Sequence, residues 1–293
     1  MNNYDDIFDT AVPDEQSFDK DAWAERKQAE RQAVYDLADA TAADVCADGA
    51  KFQAYLDTQA RFDRYSVTNV LLIMAQMPTA TQIKDFDGWK AAGASIKRQQ
   101  KGFSILELGN EYRREDGTIG TSYNVKKVFD ISQTTARVKI QPAVSTDERT
   151  LLKALIYHPP VPIQTVDELL GDAGALYDHE QQVIFVRRGM GAEDIFRSVS
   201  MELAHAEIAA TDGSYIRDDN AFSAYCVSYL LCKKYGVDVG GYDFSTLPYF
   251  FREGDTQFQR AVLTEIRDTA ANISARMSRA LETRSQQPKE QER

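Results

Sequence analysis

The amino-acid sequence predicts an α+β fold, and two features of its patterning carry that prediction. Over most of the chain, apolar residues recur with steps of three or four positions, which is the spacing of an amphipathic helix. At residues 103–131 and 175–186 this spacing gives way to short runs bounded by turn residues, as in β-hairpins. The 293 residues are enough for one large domain or two ordinary ones.

Four helices are predicted before the first hairpin. The first spans residues 19–48 and the second residues 50–59, both from their apolar spacing. The third lies between Ser66, a residue type that caps helix N-termini, and Pro78, which a helix does not readily include. The fourth covers residues 85–92 and is followed by a glycine, the commonest residue just after a helix.

A β-hairpin and a linker follow these helices. Residues 103–108 are typical of a strand, Asp116-Gly117 is a turn signal, and residues 123–131 predict the return strand. Residues 135–147 contain a proline and several polar residues and predict a linker. We therefore place a domain boundary between residues 140 and 141.

The second half is predicted to be mostly helical, with one hairpin near its start. Helices are expected at 147–157, 192–210, 219–235 and 255–283, and the hairpin pairs 175–177 with 183–186. The chain then divides into a flexible acidic tail (1–18), a first domain (19–140), a second domain (141–283) and a disordered tail (284–293).

Composition indicates a cytoplasmic globular protein. Apolar residues make up 43% and charged residues 27% of the chain, as in ordinary folded proteins. No stretch approaches the roughly 20 apolar residues of a membrane span, and the acidic N-terminus lacks the features of a secretory signal. The three cysteines form no CxxC pair, which fits buried thiols in a reducing compartment.

Charge is distributed unevenly along the chain. The net charge is −11, yet residues 51–140 carry 14 basic and 9 acidic side chains. Residues 1–50 carry 4 basic and 13 acidic side chains, and the remaining C-terminal segment is also acidic. A basic segment between two acidic ones indicates local binding of a polyanion, although ordinary surface variation produces similar differences.

The basic segment contains an ordered set of motifs. Residues 65–106 read YSVTNVLLIMAQMPTATQIKDFDGWKAAGASIKRQQKGFSIL, and residues 128–134 read VFDISQT. These stretches resemble the N-terminal domain of the ArdC-like antirestriction family, with its tyrosine-serine helix start, P-x-A-T turn, tryptophan, basic loop and closing strand. The resemblance covers about residues 60–135 and implies a domain that binds single-stranded DNA.

The residue types in this segment suit that role. Cations on a loop before a strand can follow a phosphate backbone, and exposed aromatic faces can stack on bases. For each aromatic side chain taken alone, and for Trp89 above all, packing in the core is the commoner role. Gln99 and Gln100 depart from the more charged loop of the family. The candidate DNA-binding residues are Tyr65, Asn69, Trp89, Lys90, Lys97, Arg98, Lys101, Lys126 and Lys127.

A possible metal-site helix lies at residues 194–210, DIFRSVSMELAHAEIAA. In the zincin motif HExxH, two histidines four residues apart hold a metal and the glutamate acts as general base. Here the same five positions run from Met201 to His205, and the first histidine is a methionine. On spacing alone, a lone Glu-x-x-His is more often a surface glutamate and a hydrogen-bonded histidine.

The sequence around this helix resembles the zincin-like metallopeptidase domain of the ArdC-like family. The resemblance lies in residues 174–209, which include YDHEQQVIFV, and in AYCVSYLLCKKYGVD at 224–238. It places the first histidine ligand at Met201, the general base at Glu202, the second histidine at His205 and the third ligand, a glutamate, at Tyr225. The resemblance thus implies an α+β fold in which a single-stranded-DNA-binding domain precedes a zincin-like domain.

Two of the three metal ligands are therefore missing. A thioether and a neutral phenol are poor substitutes for an imidazole and a carboxylate at zinc. We expect no zinc, no other cofactor and no catalytic residue, with Met201 filling the space of the metal. His158 and His179 lack metal-ligand spacing and are not expected to replace the lost ligands.

Three functions remain open on the sequence. The leading one is a single-stranded-DNA-binding protein of a plasmid or integrative conjugative element, with an antirestriction or strand-protecting role and a catalytically inactive zincin-like domain. The second is an active zinc metallopeptidase with unusual ligands. The third is an acidic interaction protein whose first 50 residues bind a basic partner or mask the protein's own basic domain. The acidic N-terminal segment and the zincin-like domain are the two candidate surfaces for a protein partner. No membrane partner is expected.

Overall fold

Three helices open the described part of the chain. A computed structural model describes residues 19–113, 116–137, 147–211 and 213–285. A polar side chain caps the N-terminus of each helix. The carboxylates of Asp19 and Asp48 and the hydroxyl of Ser66 accept hydrogen bonds from backbone N–H groups of the first turn. The helices are α1 (Lys20–Ala47), α2 (Gly49–Arg61) and α3 (Val67–Gln76).

The first hairpin is longer than the sequence predicts. Strands β2 (Phe103–Arg113) and β3 (Ile119–Asp130) pair antiparallel, with an irregularity in register between Leu108 and Glu111. A two-residue strand, β1 (Ile83–Lys84), pairs with the end of β3, so the order in this sheet is β1-β3-β2. Between β1 and β2 lies the short helix α4 (Phe86–Ala91), and a single 3-10 turn (Ile131–Gln133) follows β3.

The second half combines a small mixed sheet with long helices. Its strands β4 (Ile163–Val166), β5 (Ala175–Asp178) and β6 (Val183–Arg187) have the order β4-β6-β5, with β4 parallel and β5 antiparallel to β6. Neither β4 nor the short helix α8 was predicted, because four-residue elements give no period. The helices are α5 (Glu148–Leu155), α6 (Ala192–Thr211), α7 (Arg217–Tyr235), α8 (Tyr249–Arg252) and α9 (Thr256–Ser285).

The two halves share one hydrophobic core. The buried ring of Phe52 on α2 lies 5.4 Å from Phe222 and 5.4 Å from Phe251, and 5.6 Å from Phe244, measured between ring centroids. A Cβ added to Gly49 would lie 1.8 Å from the carbonyl oxygen of Phe244, so only glycine allows α2 to begin at this distance from the C-terminal half. The aromatic cluster therefore fixes α2 against α7 and α8.

Polar contacts join the same helices at the edge of that core. The hydroxyl of Tyr229 donates to Asp57 at 2.7 Å, and Lys234 pairs with Asp63 at 2.6 Å. On the other side, Arg260 of α9 pairs with Asp39 of α1 at 2.6 Å. The division at residues 140 and 141 lies outside the described residues and stays a prediction.

Several other predictions also concern residues outside the described part. These are the acidic tail 1–18, most of the linker, and residues 286–293 of the C-terminal tail. Residues 284 and 285, predicted to be disordered, form the last positions of α9. None of the described helices is both long and apolar enough to cross a bilayer.

Candidate functional site

The four positions of the predicted degenerate site converge around one cleft. Helix α6 packs against β5 and α7, which brings the residues of both helices together. The cleft has a volume of about 420 Å³, and Met201, His205 and Tyr225 all line it. Arg217, the first residue of α7, lines the same cleft. The structure therefore assembles the expected positions and adds a cation that the sequence analysis missed.

Glu202, the position of the general base, is fully engaged by protein groups. Its side chain is buried, and Arg217 donates to both carboxylate oxygens, from Nη1 to Oε2 at 2.8 Å and from Nη2 to Oε1 at 2.7 Å. The backbone N–H of Tyr177 on β5 donates to Oε2 at 2.7 Å. A bidentate guanidinium contact is the strongest ion-pair geometry that a carboxylate makes with a side chain. Glu202 is thus committed to a structural pair.

Arg217 carries little signal in the sequence. It lies fifteen positions after Glu202 and beyond the end of α6, so no helical spacing connects the two residues. One general rule points to such a partner: a carboxylate buried on an apolar helix face needs a cation or several N–H donors. That rule does not say which of the chain's arginines or lysines supplies the charge.

His205 is buried and uncharged at neutral pH. Burial lowers its pKa to about 4, an effect that nearby Arg217 adds to and Glu202 opposes. Its Nδ1 shares a hydrogen bond of 2.9 Å with the hydroxyl of Tyr215. Burial also raises the pKa of Tyr215 to about 12, so this phenol stays protonated. The imidazole and the phenol form a neutral hydrogen-bonded pair.

The two substituted positions are packed into the cleft wall. Met201 and Tyr225 are half-buried and contact the main core. The hydroxyl oxygen of Tyr225 accepts a hydrogen bond from the backbone N–H of Asp243 at 2.7 Å, and its ring lies 4.9 Å from the ring of Tyr242. Burial raises the pKa of Tyr225, so the phenol stays neutral and offers no charged oxygen to a metal.

The donor set does not fit zinc. It consists of a thioether, a neutral phenol already bound to an amide, one imidazole, and a carboxylate paired with Arg217. Of the spare histidines, His179 lies 5.0 Å from the ring of Tyr215, while His158 packs on its neighbour Tyr157 at 4.3 Å. Within the described residues, no group of three histidine, cysteine or acidic side chains is arranged to hold a metal ion.

A second candidate site is the loop at residues 97–101. Lys97, Arg98 and Lys101 are all exposed. The loop itself is held in place, because the backbone N–H of Lys97 donates to the carbonyl of Gln133 at 2.9 Å and the amide of Gln133 donates to the carbonyl of Lys101 at 3.0 Å. Three cations are thus presented to solvent from a fixed backbone.

Two predicted DNA-binding residues are part of the core instead. Asn69 is 8% exposed, and its amide exchanges two hydrogen bonds of 2.8 Å with the backbone of Leu106 on β2. Trp89 is 2% exposed, and its Nε1 donates to the carbonyl of Phe129 at 2.8 Å. Their inclusion among the DNA contacts is corrected here: both are buried with their polar groups satisfied, so no nucleotide reaches them in the folded protein.

The remaining candidates differ in how available they are. Tyr65 is half-buried with its ring edge-on to Phe62, 5.8 Å away. Lys126 pairs with Asp85 at 2.8 Å and with Glu107 at 2.6 Å, which raises the pKa of Lys126 and balances its charge. Of these remaining candidates, Lys90 on α4 and Lys127 on β3 are exposed, and the ammonium of Lys127 donates to the hydroxyl of Ser104 at 2.7 Å.

Comparison with known proteins shows the fold. No family model and no curated protein matches the sequence. The chain is similar to the metal-free crystal structure of the antirestriction ArdC protein from plasmid R388, with a TM-score of 0.50 and 16% identity over 73% of this chain and 86% of that one. The Mn(II)-bound structure of the same protein has a TM-score of 0.45 and 14% sequence identity to this chain, over 74% of this chain and 84% of that one. The fold is α+β and ArdC-like.

Proposed function

We propose that this protein binds single-stranded DNA and serves a plasmid or integrative conjugative element, with an antirestriction or strand-protecting role. The ArdC-like fold supports the proposal, since the similar solved structure is that of a plasmid antirestriction protein. The order of motifs between residues 60 and 135 supports it independently.

The observation that carries the proposal is the loop at residues 97–101. Its backbone is fixed by Gln133, and Lys97, Arg98 and Lys101 are exposed in a segment of net positive charge. The ammonium of Lys97 also donates to the carbonyl of Ser132 at 2.8 Å, which holds that charge at the surface of the loop. Such cations release counterions from a phosphate backbone, and each contact steepens the salt dependence of binding. The rest of the chain is acidic, which disfavours general attraction of duplex DNA and places the binding locally.

A titration with labelled oligonucleotides tests this proposal. We expect the wild-type protein to bind a single strand more tightly than the matching duplex at low salt. Neutralising Lys97, Arg98 and Lys101 together to glutamine should reduce the log–log salt slope by about 0.7 for each lost contact. Replacing Arg149, Lys153 and Arg188, three exposed cations of the C-terminal half, by glutamine is the matched control, because it removes the same charge. Equal binding of both DNA forms, or an unchanged slope, would contradict the proposal.

The zincin-like half is proposed to be non-catalytic. A general base needs an acidified water, and a bound metal lowers the pKa of its water from about 15.7 to about 7. The donor set around the cleft does not fit such a metal, and both carboxylate oxygens of Glu202 are already paired with Arg217. We expect no stoichiometric zinc by elemental analysis and no cleavage of peptide libraries. Zinc retained through purification and gel filtration would favour the alternative of a peptidase with unusual ligands.

A further inference from the structure

A groove lies between α1 and the β2–β3 hairpin, and the loop at 97–101 is not part of it. It consists of two adjoining clefts of about 320 Å³ and 420 Å³ that share Arg31 of α1. Their volumes are within the range of small-molecule pockets. We call the two clefts together the α1–hairpin groove. Its lining includes Arg31 and Tyr35 on the helix and Asn110, Tyr112, Tyr123 and Asn124 on the hairpin.

Aromatic rings are concentrated along this groove. Tyr112 is 49% exposed, Tyr123 is 40% exposed and Trp23 is 45% exposed. Tyr35 is half-buried and lines the same cleft as Tyr112 and Tyr123, so the three phenols lie close together. The buried apolar side chains of the hairpin lie near its base, where Leu106 packs on α1 and α3, while Tyr112 and Tyr123 in its outer half are exposed to solvent.

The polar lining suits bases better than phosphates. Lys27 pairs with Glu30 at 2.8 Å, and the groove holds Arg31 and Glu111 besides, so its charges balance. The amides of Asn110 and Asn124 offer donors and acceptors of the kind found on base edges. Exposed aromatic rings can stack on any of the bases, because every base has a π-face.

The groove lies in line with the cationic loop along β3. Residue 127, paired with Ser104 near the start of β2, carries an exposed lysine, and residues 121–125 beyond it line the two clefts. Strand β2 begins two residues after the loop ends. One extended strand can therefore contact the loop with its phosphates and the groove with its bases.

We propose that the α1–hairpin groove is the base-stacking part of a single-stranded-DNA site, with Tyr112 and Tyr123 as its stacking residues and Arg31 shared by its two clefts. This inference rests on the proposed function, since it assigns bases to the groove and phosphates to the loop. Stacking without base-specific pairing gives weak sequence preference.

The test compares variants of the full-length protein in binding to labelled oligo-dT of about 16 nucleotides, the upper end of common site sizes. Tyr112→Ala and Tyr123→Ala should each weaken binding by about 5- to 150-fold, which corresponds to the loss of one stack. The salt slope should stay at the wild-type value, because no phosphate contact is removed. Tyr112→Phe and Tyr123→Phe are matched controls that keep the ring and should bind like wild type.

A second measurement does not depend on variants. Oligonucleotides carrying a photoreactive base should cross-link to the peptides that contain Tyr112 or Tyr123. If wild type binds the single strand but both alanine variants bind equally well and no such cross-link forms, the groove assignment is overturned while the proposed function stands. If wild type does not bind the single strand, both fail. A loss of self-association in the alanine variants, with unchanged DNA binding, would assign the groove to a second copy of the chain and overturn the inference.

Discussion

Replacing Arg217 with methionine should destabilise the protein strongly. The change leaves the Glu202 carboxylate, 0% exposed, with a single backbone N–H donor in place of three hydrogen bonds. Removing one partner of a buried ion pair costs about 3–5 kcal/mol, because the other charge stays buried without compensation. The side chain of Arg217 is 36% exposed, so solvent screens part of the pair and we expect the lower end, about 3 kcal/mol.

Urea unfolding of the full-length chain at pH 7 measures this cost, and a double-variant cycle isolates its cause. Glu202→Gln combined with Arg217→Met removes both charges, so the double variant should be more stable than Arg217→Met alone. If the free energy of unfolding of Arg217→Met lies within about 0.5 kcal/mol of wild type, or if the double variant is no more stable than Arg217→Met, the ion pair does not stabilise the fold as argued. An unchanged m-value is needed for this comparison.

Three further predictions concern the same site and the hairpin base. Combining Met201→His and Tyr225→Glu should allow the protein to bind one zinc ion per chain only when Arg217→Met is added, since a guanidinium beside the cleft repels the ion. Elemental analysis of the zinc content and a zinc-dependent rise in Tm measure the result. The pKa of His205 is lower in the folded protein than in the unfolded chain, so the folded protein binds fewer protons and its stability should fall as the pH is lowered from about 6.5 to about 4. His205→Gln should reduce this fall in Tm with pH, measured by thermal unfolding at a series of pH values. Asn69→Ala should cost about 1–3 kcal/mol in urea unfolding, because it leaves backbone groups of β2 without partners; a cost near zero would mean that water replaces the amide.

The main helices and hairpins were predictable because their signals are local. Asp48 caps α2, Ser66 caps α3, and Gly236 ends α7 in the left-handed conformation that glycine favours, with φ at 73°. Strands β2 and β3 extend further than predicted, since their outer halves are exposed and lack the alternation that identifies a half-buried strand.

The shared core could not be predicted because it depends on distant residues. Phe52 and Phe222 are 170 positions apart and meet only once α2 lies on α7. The candidate site likewise has features that are visible in the sequence and a contact that depends on distant residues. The methionine at 201 and the tyrosine at 225, where the resemblance implies metal ligands, are visible in the sequence. The pairing of Glu202 with Arg217 is not, because these residues lie on different helices and meet only in the folded chain.

The side chains of Glu202, His205 and Tyr225 are satisfied by contacts within the protein. A zincin site concentrates negative charge and ligand lone pairs around a divalent ion, and removing the ion alone would leave a buried carboxylate without a cation. In this chain a guanidinium supplies the cation to Glu202, burial keeps His205 neutral, and Tyr225 turns its oxygen to the backbone of Asp243. Each of these three groups thus has a protein partner or is kept neutral by burial, which supports the proposal that this half of the chain acts as a scaffold for the helices that support the hairpin.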